Sequence, residues 1–405
     1  MHRLALLGSL CLFLSAVEYL IPKPLPFMRI GLANLPLLLA LDFLSPARFF
    51  FLALIKVLGQ GIIGGTLFSY VFLFSLAGTF SSALLMFGLR GLLGKKLLGF
   101  IGLGCAGAMA SNAVQLLLAR FFIFGAALRY LMPPFLASGF ITGIALGIVC
   151  EIFCRRSRWY MSCIGYCGTD FIKEAGHSDA PSNENSAPLR DENTKKPEKI
   201  NFHKKCKQRW DNLFNADELF VAGLLMSLLF LFNRSIEIKI IHFAFFCVLA
   251  VCSGKKINVF MTLLAMSGIV FFNLLVPYGK VIAVFGPLRL TQGSLLSGIE
   301  KALTLTGLLM LSRACIASDL KLPGKAGSVL GESLRLLELM RERKSNIRRG
   351  NIIAGIDHML LDLESDCTAA IEPEARPKRS FKSILLLILI IILTLLPIVV
   401  NIRNA

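Results

Sequence analysis

Long apolar runs separated by short basic loops dominate the chain, and no stretch shows the strict alternation of a barrel strand. Runs approaching or exceeding the roughly 18 to 20 residues needed to cross a bilayer as helix predict spans at about 4–21, 31–45, 47–61, 66–92, 97–125 and 133–154. From 159 to about 212 the pattern changes to "HSDAPSNENSAPLRDENTKKPEKINFHKK", which is rich in Ser, Asn, Pro and charge and cannot bury a core. Apolar helices resume at about 216–233, 236–253, 257–276 and 295–312. A second polar stretch, 313–381, contains "SVLGESLRLLELMRERKSNIRR", whose leucines recur at helical spacing before the segment turns basic. A last span is expected at 383–400. The expected fold is therefore an all-α polytopic membrane protein of about eleven helices, a six-helix bundle followed by a second helical membrane domain.

Composition supports this picture. Apolar residues make up 55% of the chain and phenylalanine occurs 32 times, with a mean hydropathy of +0.70, far from the balance of a soluble domain of this length. The formal charge of +18 reports topology rather than nucleic-acid binding, because much of it sits in loops between apolar runs. Arg48, then Arg90, Lys95 and Lys96, then Arg155, Arg156 and Arg158 all fall on one side if the N-terminus is cytoplasmic. "SGKK" and "RPKRSFK" mark the same side again, and "VPYGK" the outer one. The expected setting is the cytoplasmic (inner) membrane, with the N-terminal apolar segment retained as a first helix rather than cleaved as a signal. Expected domain limits are 1–155 for the six-helix domain, which should fold as a compact unit; 156–213 for a disordered cytoplasmic linker; 214–340 for the second membrane domain with its cytoplasmic helix; 341–381 for a basic cytoplasmic segment; and 382–405 for the C-terminal span.

The search for chemistry is mostly negative. There is no P-loop, so primary active transport would need a partner ATPase. "LGQGIIGG" at 58–65 opens no strand-turn-helix unit and reads as a packing and turn element. No DDxxD motif offers paired carboxylates for magnesium and diphosphate; Asp357, Asp362 and Asp366 in "DHMLLDLESD" do not share one helical face and read as a solvated acidic helix end. Catalytic residues and metal ligands are expected to be absent. Cys150, Cys154, Cys163 and Cys167 have CxxxC rather than CxxC spacing and read as apolar fillers or acylation sites before metal ligands.

Polar residues inside apolar sequence carry the functional signal. With the N-terminus inside, "IPKPLPFMRI" is an outer loop, which keeps Arg29 out of hydrocarbon and places Asn34 near the outer end of the second span. Gln60, Thr66, Ser69 and Tyr70 then lie near the outer end of the third and fourth spans, and Asn112 and Gln115 in the middle to outer part of the fifth. Uncompensated polar groups in lipid cost several kcal/mol each, so their shared depth points to an inward-facing ligand pocket, with Arg29 clamping a carboxylate, phosphate or quinone oxygen. Interhelical hydrogen bonding is the competing explanation for the same residues.

"PFMRIGLANLPLLLAL", "FLALIKVLGQGIIGGTLFSYVFLFSLAGTFSSALLM" and "GAMASNAVQL" resemble the membrane family called Gx transporters, also labelled heptaprenyl diphosphate synthase component I, over roughly residues 1–155. That family is similar to the six-helix S components of energy-coupling-factor vitamin transporters. The segment "FGPLRLTQGSLLSGIEKALTLTGLLMLSRACIASDL" more weakly resembles their T component over about 216–340, without its short Ala-Arg-Gly-like docking motifs. The resemblance implies a transport protein that takes a vitamin, flavin, quinone or isoprenoid precursor from outside with ATPase or other membrane subunits as partners. It also leaves open a non-catalytic component of heptaprenyl diphosphate synthase and a membrane subunit of a flavin- or quinone-based electron-transfer system. The cofactor is not named by the sequence, membrane lipid is an expected partner, and the basic stretch 341–349 would meet anionic lipid or a partner protein on the cytoplasmic face.

Overall fold

The computed structural model describes residues 2–19, 31–165, 206, 209–210, 213–233, 235–255, 257–285, 288–316, 324–342, 352–365 and 385–395. It is an all-α polytopic membrane protein. The part of the chain expected to form the first domain, with the helix that follows it, comprises α1 (His2–Tyr19), a 3-10 turn (Leu32–Asn34) running into α2 (Leu35–Ala40), α3 (Pro46–Gly64), α4 (Tyr70–Leu97), α5 (Phe100–Ala119), α6 (Leu128–Arg156) and α7 (Arg158–Ile164). The part expected to form the second domain contains α8 (Ala216–Phe232), α9 (Ile236–Cys252), α10 (Val259–Leu274), a hairpin of β1 (Val281–Phe285) and β2 (Leu288–Thr291), and α11 (Gln292–Cys315). α12 (Gly324–Glu342) and α13 (Ile352–Ser365) follow, and α14 spans Leu385–Leu395.

By length and composition α3, α4, the continuous stretch Phe100–Arg156 and α11 can each cross a bilayer. The second expected span differs. Gly31 takes a left-handed conformation, Pro36 enters the first turn, and helix runs only from Leu35 to Ala40 before turning at residues 41–44. Every residue of α2 is buried in protein, so its leucines pack against neighbours and need no lipid-spanning length. The expected linker likewise begins with α7, held by Trp159 and Tyr160, both buried. An aromatic pair in that position has apolar surface to bury, which the following polar residues lack. Of the rest of the linker only Cys206, Arg209, Trp210 and Leu213 are described, and Trp210 packs on Phe214 with ring centroids 4.7 Å apart.

Glycine sets the tightest packing. On α6, Gly139, Gly143 and Gly147 recur every four residues and face α5; a Cβ on Gly147 would stand 2.3 Å from the Ile101 Cα, and one on Gly143 2.8 Å from the Cys105 Cα. Gly104 meets them from α5, where an added Cβ would stand 2.7 Å from the Gly143 carbonyl oxygen. Without a hydrophobic drive between helices in lipid, such close backbone approach is what holds a pair together.

α1 is apolar all round and is buried accordingly, residues 4–13 being almost wholly enclosed. α3 covers one side, with Gly8 beside Ile55 and Gly59 against Leu12, so the two helices run in the same direction. α12 covers another: Gly8 lies against Ser333, and His2 contacts Glu332 at 3.0 Å. Arg3 pairs with Glu364 of α13 at 2.9 Å. The segments after α11 therefore complete the core of the first domain.

At the same end, three segments meet on buried charge. Asp42 accepts hydrogen bonds from Arg90 Nε and Nη2 at 3.2 and 2.5 Å and from the Tyr160 hydroxyl at 2.8 Å. Asp357 of α13 is buried, not solvated as the sequence suggested, and caps the start of α7 by accepting from Ser157 Oγ, Arg158 N at 3.0 Å and Trp159 N at 3.0 Å. A carboxylate that satisfies otherwise orphaned helix N–H groups needs no solvent.

Candidate functional site

The polar residues of the first domain gather on the inner faces of α2 to α6, at two adjoining levels. Lys56, midway along α3, is buried and donates to Asn34 Oδ1 and, at 3.3 Å, to Thr79 Oγ1 of α4. Asn34 is therefore engaged at the depth of the middle of α3, deeper than the outer position expected. Gln60 is buried one helical turn from Lys56 on the same face. Glu18, near the end of α1, is also buried and accepts from Gly31 N at 3.2 Å.

Adjacent residues of α4 join this group to a second one. Gly78 faces Ser111 and Gln115 of α5, whose side chains bond each other at 2.9 Å. Asn112 donates to the Phe135 carbonyl at 3.0 Å across to α6, over Gly139. Asn112 and Gln115 thus use part of their hydrogen-bonding capacity between helices. Thr66 and Ser69 are buried in the α3–α4 turn, where Ser69 Oγ donates to the Thr66 carbonyl at 2.8 Å. Tyr70 stacks on Phe122 with centroids 4.8 Å apart. The structure brings Asn34 to Lys56, with Gln60 one turn along the same face of α3, keeps Asn112 and Gln115 one layer over, and leaves Thr66, Ser69 and Tyr70 at the turn above. Arg29 lies outside the described residues, as does Cys167.

Two residues in this region were passed over in the sequence: Lys56 in "LALIKVLGQG" and Glu18 in "SAVEYL". The signal was present, since an ionisable residue inside an apolar run marks a functional position by default. Among the described residues no group of three or more His, Cys, Asp or Glu side chains could hold a metal ion. Cys150 and Cys154 are buried beside the Asp42–Arg90 pair, while Cys163 is partly exposed near Arg3. Burial pushes the Cys163 thiol up to about 11.

The second domain meets the first at the α3–α4 turn. Phe68 N donates to Ser312 Oγ at 3.2 Å, and a Cβ on Gly65 would stand 3.2 Å from the Arg313 Cα. On the orientation expected from the basic loops, residues 65–70 would lie on the outer side and Arg313, at the end of α11, on the inner side. The two touch, so the domains cannot both stand upright across one slab roughly 30 Å thick with those assignments.

No curated protein and no solved structure matches the chain. Residues 219–318 match a family model described as a domain of unknown function (DUF8519). Residues 7–153, which hold Lys56, Asn34, Gln60, Asn112 and Gln115, match the model described as heptaprenyl diphosphate synthase component I, to which this part of the chain is similar.

Proposed function

We propose that this protein is an integral membrane transport protein, whose first domain binds a small ligand in the polar interior around Lys56, Asn34 and Gln60 and delivers it across the membrane with partner subunits. The contact between Gly65 or Phe68 and the Ser312–Arg313 end of α11 carries this reading. A turn that charge assigns to the outer side rests at the charge-assigned inner end of the second domain, as expected of a domain that changes its tilt. The enclosure of α1 by α12 and α13 supports it, because those helices hold the first domain along its side. Vitamins, flavins, quinones and isoprenoid precursors are ligand classes consistent with an apolar shell around a few polar groups. The family description favours a second reading, a non-catalytic membrane component of heptaprenyl diphosphate synthase.

A cysteine at Leu67, in a background depleted of native cysteines, separates the two. A carrier is labelled there by a membrane-impermeant maleimide in both right-side-out and inverted vesicles. A static subunit is labelled from one side only, which would overturn the transport reading. Arg335→Cys on the exposed face of α12 reports vesicle orientation.

A further inference from the structure

The second domain carries its own charged group within the membrane. Lys239 of α9, buried, pairs with Glu300 of α11 at 2.7 Å. Next to Glu300, partly buried Lys301 turns toward α10 and donates to Asn273 Oδ1 at 3.1 Å. The Asn273 amide nitrogen is already committed, to the carbonyls of Ile269 at 2.8 Å and Ile123 at 3.3 Å. Ile123 belongs to the π-helical segment Arg120–Phe124 that ends α5, so this cluster lies where the two domains meet. Tyr70 is within electrostatic range of Glu300.

Charge counting is informative here. Lys239 and Glu300 neutralise each other, and Lys301 leaves the cluster at net +1. An ammonium has three donors, and the described residues take one of Lys301's, with a neutral amide oxygen. Glu300 also lies within electrostatic range of Lys301, but its charge is already matched by Lys239, and an excess positive charge at such a depth is costly. Leu296 and Phe271, exposed on the same two helices, give the neighbouring surface the character of a hydrocarbon-facing wall.

We propose that Lys301, oriented by Asn273, binds the phosphate of an anionic amphiphile at the junction of α5, α10 and α11. The apolar chain lies outside along the helices, and the phosphate supplies the missing negative charge. A basic pocket between membrane helices is a recognised form of headgroup site. The proposal rests on Lys301 and Asn273 and on the end of α5 that meets them, and its test does not depend on whether the protein transports a ligand.

Native mass spectrometry of the full-length protein tests it, with the protein purified in non-ionic detergent supplemented with equal phosphatidylglycerol and phosphatidylcholine. Lys301→Met is expected to retain one phosphatidylglycerol fewer than wild type, and Lys301→Arg to retain the wild-type number. The double variant Lys239→Met/Glu300→Gln preserves the net charge and is expected to keep the lipid. Millimolar inorganic diphosphate then identifies the source: displacement means that the site also accepts a free phosphate anion, and persistence means that it needs the lipid, the phosphate chemistry being supported either way. An unchanged lipid count in Lys301→Met, or failure of Lys301→Arg to restore it, overturns the proposal.

Discussion

Arg90→Ala destabilises the protein by about 3–5 kcal/mol, the range expected when one partner of a buried ion pair is removed. Both side chains are nearly enclosed, with 11% of Arg90 and 6% of Asp42 exposed, so solvent cannot replace the lost cation cheaply. The guanidinium also donates to the Leu98 carbonyl at 3.0 Å and lies over the Phe100 ring at 5.3 Å. Its loss therefore loosens the α4–α5 connection as well as the α2–α3 turn. Replacing both partners, Arg90→Met with Asp42→Leu, should recover much of the stability, because no uncompensated charge remains. Equilibrium unfolding in detergent micelles measures both effects. A single variant as stable as wild type would show that Asp42 is held by other groups.

Gly147→Ala is expected to cost about 1–3 kcal/mol, and Gly147→Leu more, because even one methyl overlaps the backbone of α5. The strain cannot be relieved by rotating a side chain, since the nearest atoms are the Ile101 Cα and the Phe100 carbonyl oxygen. Gly88→Ala is the matched control. It lies inside α4 with nothing within 4 Å of the added carbon, so it should be neutral or stabilising by up to about 1 kcal/mol. If the two alanine variants melt together, the close contact between α5 and α6 does not contribute to stability as described.

The helices were legible because apolar length and flanking basic residues are local signals. α2 was not, since "LPLLLAL" reads the same whether protein or lipid surrounds it. Asp357 was misread for a related reason: its partners, Ser157 and the two following N–H groups, lie about two hundred residues away in sequence, and no spacing rule reaches that far. The Gly139–Gly143–Gly147 repeat is visible in the sequence, but the register that sets it against Gly104 is not. Among candidate site residues, Asn34, Gln60, Asn112 and Gln115 stood out as amides in apolar sequence. Lys56 was as conspicuous on the same criterion, and its importance emerges only when α2 brings Asn34 against it. The contact of the α3–α4 turn with α11 could not have been foreseen from charge, which describes each domain as though it stood alone in the bilayer.

The central claim is that the interior around Lys56 is a ligand site rather than a structural knot, and ligand retention tests it most directly. Full-length wild type and Lys56→Met are purified in mild detergent, and their small-molecule content is compared by native mass spectrometry and solvent extraction. Methionine keeps the length and apolar character of the lysine stem but leaves the Asn34 and Thr79 oxygens without their donor, so a destabilisation of about 1–3 kcal/mol accompanies the substitution. A small molecule bound to wild type is expected to be lost from Lys56→Met while the variant still folds and melts cooperatively, at a somewhat lower temperature. Retention of the same molecule by Lys56→Met, or a collapse in melting with retention unchanged, would contradict it.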